Sequence, residues 1–334
     1  MSEYPLKHPS PSRQSWWSRQ SGRRRVLLIV APALLLVTIL AIGLGVGLTR
    51  ARRTSNPSAP SGTAGPSIPP GSRTNTSALW QPAVGSTWQI VLSDALSLPA
   101  DAKALTPAVQ IFDVDLFSHN ATTIQTLHRL GARVICYFSA GSYEPNRPDS
   151  ASFQPADLGK GLNGWPGEKW LDVRSQNVRS IMKARIALAA ERGCDAIDPD
   201  NVDGFQNDNG LSLTQQDTVS YMRFLAAEAA GRGLSTGLKN AGDVVGDVLD
   251  VVQFSVNEQC MKYQECRVFE PFINAGKPVL HIEYPSGAPS ITSSDRTKAC
   301  AWHAAHRFST VLKKMNLDGW VEYCDGSTAN TPHV

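Results

Sequence analysis

Cys194-Asp195-Ala196-Ile197-Asp198-Pro199-Asp200-Asn201-Val202-Asp203-Gly204 is a short apolar lead-in that runs straight into three carboxylates, Asp198, Asp200 and Asp203. Crowded carboxylates repel one another and cost several kcal/mol unless something nearby pairs with them. The lead-in has the length and composition of a strand. In a parallel barrel, reactive groups collect at the C-terminal strand ends, so the stretch reads as the exit of such a strand. A second stretch, Val251-Val252-Gln253-Phe254-Ser255-Val256-Asn257-Glu258, repeats the arrangement with one acid at its end.

Working outward, further strand-like runs fall at 87–93, 109–115, 133–140, 234–239, 278–284 and 308–312, and the two stretches above contribute 194–200 and 251–257. Amphipathic segments lie between them, clearest at 175–192 and 213–231, where Val178, Ile181, Met182, Arg185 and Ile186 form a helical stripe. Alternating strands and helices imply a parallel sheet, and eight such strands predict an α/β fold, a (β/α)8 TIM-like barrel. An open doubly wound sheet is the alternative, but the sequence has no phosphate-binding loop to support it.

The barrel places Ser93/Asp94, Asp113/Asp115, Tyr137/Ser139, Asp198/Asp200, Lys239/Asn240, Asn257/Glu258 and Glu283/Tyr284 on one face. Side chains two apart on a strand share a side, so Asp198 and Asp200 point the same way. Two carboxylates at the ends of two different strands, Asp200 and Glu258, are the equipment of glycoside hydrolysis.

Residues 80–334 are the length of one barrel domain. Residues 1–79 hold ten of the 32 Lys/Arg and one of the 29 Asp/Glu, so 80–334 hold 22 against 28, a net charge of −6. A nucleic-acid partner would require the opposite sign, whereas a cationic substrate suits this one. Residues 26–49 carry no charge and as a helix would rise about 36 Å, enough to span a bilayer core. Six basic residues precede them and three follow closely, which predicts a single-pass type II anchor with residues 1–25 as a cytosolic tail. Residues 50–79, rich in Ser, Thr, Pro and Gly, read as a disordered stalk. Sequons stand at Asn75 and Asn120.

All six cysteines fall in the predicted barrel, and an even number beyond a membrane anchor reads as disulfides. Cys260 with Cys266 would staple the loop after Glu258, and Cys300 with Cys324 would tie down the C-terminus. Cys136 and Cys194 then pair with each other or remain buried thiols. The chain has no CxxC pair, so no metal site is expected.

Across 80–334 the chain resembles the glycoside-hydrolase family 114 barrel, the endo-α-1,4-polygalactosaminidases. The resemblance rests on Trp88-Gln89-Ile90, Asp113-Val114-Asp115, Val134 to Glu144, Trp170 to Arg174, Asp198 to Asp203 and Val256 to Cys260 taken together. The membrane-anchored layout also resembles the filamentous-fungal members. The family's strand-4 Asp and strand-6 Glu, its proposed catalytic pair, fall on Asp200 and Glu258.

The resemblance implies an endo-acting, retaining hydrolase of α-1,4 links in galactosamine-rich polysaccharide such as galactosaminogalactan, with no cofactor and no metal. A deacetylated galactosamine is an ammonium sugar, cationic or partly acetylated along the polymer. Asp115, Asp198, Asp203 and Glu283 are the expected carboxylate contacts. Lys239 and Asn257 are further polar contacts, and Tyr137, Tyr143, Trp170 and Tyr284 are stacking surfaces. The competing reading is an inactive cell-surface polysaccharide-binding protein on the same barrel. The intact Asp200/Glu258 pair distinguishes the two, since a dead barrel often loses one acid.

Overall fold

The structure is a computed structural model that describes residues 79–334. The tail, the membrane anchor, nearly all of the stalk and the Asn75 sequon lie outside the described residues. Among the described residues no helix is long and apolar enough to cross a membrane.

Eight strands follow one another in sequence and in space: β1 (Trp88–Val91), β2 (Ile111–Asp115), β3 (Arg133–Ser139), β4 (Ala196–Asp200), β5 (Ser235–Lys239), β6 (Phe254–Glu258), β7 (Val279–Glu283) and β8 (Ser309–Leu312). Each pairs in parallel with the next. All eight overlap the ranges expected from sequence, with ends shifted by up to three residues. Period-two alternation divides their side chains. Trp88, Ile90, Ile111, Ile135, Ala196, Phe254, Val256, Leu280, Ile282 and Val311 pack together on the inner side. The opposite side packs Phe112, Val114, Val134, Ile197 and Leu238 against the helices.

Those helices are α1 (Ala121–Arg129), α2 (Gln176–Arg192) and α3 (Gln215–Ala230), with short helices of four to seven residues after β5, β6 and β7. The Ser175 hydroxyl accepts from Asn177 and Val178 N–H at the start of α2, and Gly193 ends it at φ +87°, which glycine adopts without a Cβ penalty. Thr214 and Asp217 form a capping box on α3. Residues 92–110 connect β1 to β2 without a helix. After β3 the chain inserts a small antiparallel sheet, Ser142–Tyr143, Leu158–Gly161 and Lys169–Leu171.

The fold is therefore α/β, a curled and mostly parallel sheet of TIM-like form. No backbone ladder joins β8 to β1 among the described residues; the sheet continues into antiparallel β9 (Trp320–Tyr323) and β10 (Thr328–Asn330). Side chains cross the seam instead. Trp88 Nε1 donates to Ser309 O at 2.7 Å, Lys313 Nζ to Gln89 Oε1 at 3.0 Å, and Gln89 Nε2 to Gly319 O at 3.0 Å.

All six cysteines are paired. Cys136–Cys194 joins β3 to the approach of β4, so the open alternative resolves to a disulfide rather than buried thiols. Cys260–Cys266 closes the loop behind Glu258, and Cys300–Cys324 ties the last helical segment to the end of β9.

Candidate active site

Asp200 ends β4 and Glu258 ends β6, both on the inner side of the sheet. Lys239, the last residue of β5, lies between them. Its Nζ is 3.3 Å from Asp200 Oδ1 and 3.4 Å from Glu258 Oε2. Those two oxygens are thus at most about 6.7 Å apart, the sum of the two contacts. Tyr137 donates its hydroxyl to Asp200 Oδ2 at 3.0 Å, and Asn201 N–H donates to Oδ1 at 2.7 Å. On the other acid, Asn240 Nδ2 donates to Glu258 Oε2 at 3.1 Å and Tyr284 donates its hydroxyl to Oε1.

Local backbone geometry aims these groups. Asn201, Asn240 and Gln259 follow β4, β5 and β6 at φ +61°, +48° and +62°. Non-glycine residues occupy this left-handed region at a cost, Asn least of all, and such strain gathers at functional sites. Three consecutive exits therefore turn sharply just where the acids and their partners emerge.

The electrostatics follow from burial. Burial alone would lower Lys239, but the surrounding carboxylates of Asp200, Glu258, Asp198 and Asp113 outweigh it and hold the ammonium well above its ordinary value. Burial, reinforced by Asp200, raises Tyr137 well above the usual phenol value; burial and Glu258 do the same for Tyr284. Both stay protonated as donors. Beneath them, burial pushes Asp198 up to about 7 against the pull of Lys239. Burial and the neighbouring Asp198 carry Asp113 well above the carboxylate range.

Asp198 therefore holds a proton in the folded chain that the unfolded chain releases between about pH 4 and 7. Where the native state binds more protons, stability falls as pH rises. Denaturant titration should show the wild type losing about 1–3 kcal/mol between about pH 5 and 7.5, and Asp198→Asn losing clearly less. Equal losses in both proteins would remove the raised Asp198 from the account.

Several residues expected to face substrate are placed elsewhere. Asp115 is buried; its Oδ1 caps the Phe117 and Ser118 N–H groups at 2.9 Å, and its Oδ2 forms an ion pair with Arg147 at 2.7 Å. Asp198 and Lys239 lie beneath the acids, 0 % and 2 % exposed. Asn257 and Glu283 alternate with inward-facing Glu258 and Ile282, so parity turns them toward the outer layer. There Glu283 Oε1 takes hydrogen bonds from His281, at 2.9 Å, and Met261 N–H, at 2.8 Å. Trp170 is buried against Gly204 rather than offered to a sugar face. Asp203 is half-buried at the turn after β4, Tyr137 and Tyr284 are half-buried at the site, and Tyr143 packs edge-on against Phe153.

Asn201 is not among the residues the sequence places on the active face, and Asn240 is placed there without a role. Their signal is position: each directly follows a strand-end charged residue and is a type that tolerates a left-handed turn. Cys260, Cys266 and His281 cluster closely enough to hold an ion, but both sulfurs are spent in a disulfide and offer no thiolate.

Comparison with known proteins identifies the arrangement. The model of glycoside-hydrolase family GH114 matches residues 70–329. No curated protein matches the chain by sequence. The crystal structure of Aspergillus fumigatus Ega3 in complex with galactosamine is similar, at 52 % identity, covering 73 % of this chain and 97 % of that one, with a TM-score of 0.69. The glycoside hydrolase domain of PelA from Pseudomonas aeruginosa shares the fold at 15 % identity, covering 70 % and 96 %, with a TM-score of 0.52.

Proposed function

The chain belongs to glycoside-hydrolase family GH114, and from that premise we propose that it is a retaining endo-glycosidase cleaving α-1,4 links in galactosamine-containing polysaccharide. The observation that carries this reading is the meeting of Asp200 and Glu258, from two different strands, on one lysine nitrogen. Retaining enzymes hold their carboxyls about 5–5.5 Å apart and inverting ones about 6.5–9.5 Å. The limit set by the shared contacts is compatible with the shorter range.

Asp200 attacks the anomeric carbon while Glu258 protonates the departing oxygen; Glu258 then takes a proton from the water that releases the sugar. Tyr137 and Lys239 hold one nucleophile oxygen each. The side chain of Glu258 is the more exposed of the two acids, 16 % against 8 %, which suits the partner that must reach the leaving group and water.

The substrate class is supported by the similarity to a galactosamine-bound relative and by the net charge of −6 over 80–334. Asp203 and Glu168 are half-buried acids of this region, and Glu168 is close enough to Tyr137 to raise its phenol. Glu168 also accepts from Ser142 Oγ at 3.1 Å, and on this reading both acids add negative potential where ammonium sugars would bind. The same reading keeps residues 26–49 as an anchor holding the catalytic part at the outer cell surface.

One assay tests the proposal. Deacetylated polymer should be cleaved faster than fully N-acetylated polymer, and the advantage should shrink as salt screens the contacts. Proton NMR of the first product should show the α anomer. Equal cleavage of both polymers across a salt series would remove the charge argument, and β product appearing first would establish inversion.

A further inference from the structure

Asp113 and Asp198 take no part in the displacement described above, yet the fold buries both completely. None of their four carboxyl oxygens meets a hydroxyl, amide or cationic donor. Two bare carboxylates in that condition would lose their hydration and repel each other, at a cost of several kcal/mol. Each carboxyl raises the cost of ionising the other on the inner side of the sheet, and a single retained proton would let one carboxyl donate and the other accept. Above about pH 7, once Asp198 has released its own proton, the pair carries one negative charge rather than two.

The charged and titratable groups around this pair are few. Lys239 comes from β5, Asp200 from the end of β4 and Glu258 from β6. Tyr137 from β3 and Tyr284 from β7 present hydroxyls that are already committed to those two acids. β1 and β8 contribute apolar Ile90 and Val311 to the inner face. Lys239 is therefore the cation between a buried negative pair below and two reactive acids above, with its ammonium also 5.4 Å from the centre of the Tyr137 ring.

We propose that Asp113, Asp198 and Lys239 are positioning residues: a buried counter-charge stack that fixes Asp200 and Glu258 against one nitrogen and sets the pH at which Glu258 releases its proton. This inference rests on the roles given above to Asp200 and Glu258. The signs follow directly. Removing the pair's negative charge leaves Lys239 unopposed and favours ionised Glu258, so Glu258 should titrate at lower pH. Removing Lys239 does the reverse. A single Asp198→Asn keeps one negative charge, because the amide donates to Asp113 in place of the shared proton.

The test uses the full chain with glutamate side-chain carboxyl carbons labelled with ¹³C, Glu258 being assigned by the signal lost in Glu258→Gln. Its titration should move down by about one pH unit in D113N/D198N and up by about one unit in Lys239→Met, and stay within about 0.3 unit of wild type in Asp198→Asn. The alkaline limb of kcat/KM on deacetylated galactosamine polymer should follow the same directions. At the wild-type optimum kcat should fall about tenfold in Lys239→Met, with KM changed less than about twofold.

Shifts of the same sign in Lys239→Met and the double variant, or no shift in either, would overturn the proposal. A residue that only supports packing would not move the two titrations in opposite directions. Should Lys239→Met fail to fold, an unmoved Glu258 in D113N/D198N overturns it alone. Undiminished cleavage by Glu258→Gln would instead overturn the assigned reaction, while the carbon titration still reports on the stack.

Discussion

Asp200→Asn and Glu258→Gln are each expected to lower turnover by at least about 10²-fold while leaving the chain folded. The substitutions are close in shape, and each keeps an oxygen for the existing donors. In Asp200→Asn that oxygen can still accept from Tyr137 or Asn201; in Glu258→Gln it can still accept from Asn240 or Tyr284. What disappears is the negative charge that attacks in one case and the transferable proton in the other. The two variants should separate on a substrate whose leaving group departs without protonation. Glu258→Gln should then recover most of the first step, and Asp200→Asn should recover none. Steady-state rates on the natural polymer and on an aryl glycoside check this, with thermal unfolding as the control for folding. Near-normal cleavage of the polymer by either variant would sink the catalytic pair, whereas no cleavage by the wild type would leave the binding-protein reading in its place.

The curled parallel sheet was legible in the sequence because its strands are short apolar runs that stop at turn residues and because long amphipathic segments stand between several of them. Parity also worked where it was applied: Asp198 and Asp200 do share the inner side. Applied equally to Asn257/Glu258 and Glu283/Tyr284, it would have turned Asn257 and Glu283 outward. Position at a strand end is thus a coarser guide than position plus parity. Asp115 was out of reach for another reason. Its partner Arg147 arrives from the segment after β3, and nothing local in Asp113-Val114-Asp115 announces an ion pair made at that distance. Lys239 shows the third limit. A lysine at a strand end reads as a contact for substrate, and only its 2 % exposure reveals that it serves the acids from below. The seam between β1 and β8 is similar, since the antiparallel strands that follow β8 leave no mark distinguishing them from a ninth repeat.

Gly141→Ala is expected to be the most damaging conservative change in the site. A Cβ at Gly141 would lie 1.8 Å from Asn201 O and 2.6 Å from its carbonyl carbon, both backbone atoms that no rotamer change can withdraw. The same stretch is bound on both sides. Ala140 and Gly141 N–H donate to Asp200 O at 2.8 and 3.0 Å, and Asn201 Nδ2 donates to Ser139 Oγ at 2.9 Å and Ser142 Oγ at 3.2 Å. Relief therefore requires the exit of β4 to shift by more than about 1 Å, and a nucleophile misplaced by that much loses about 10²-fold in rate. Overpacking against backbone should also destabilise the chain by about 2–4 kcal/mol. Gly246→Ala is the matched control. It lies in the short helix Val245–Val248, where an added Cβ meets nothing within 4 Å, and the change should be neutral or slightly stabilising. Denaturant unfolding and kcat measured on both variants decide the matter. Wild-type turnover in Gly141→Ala would mean that the close approach of Gly141 to Asn201 does not set the aim of Asp200.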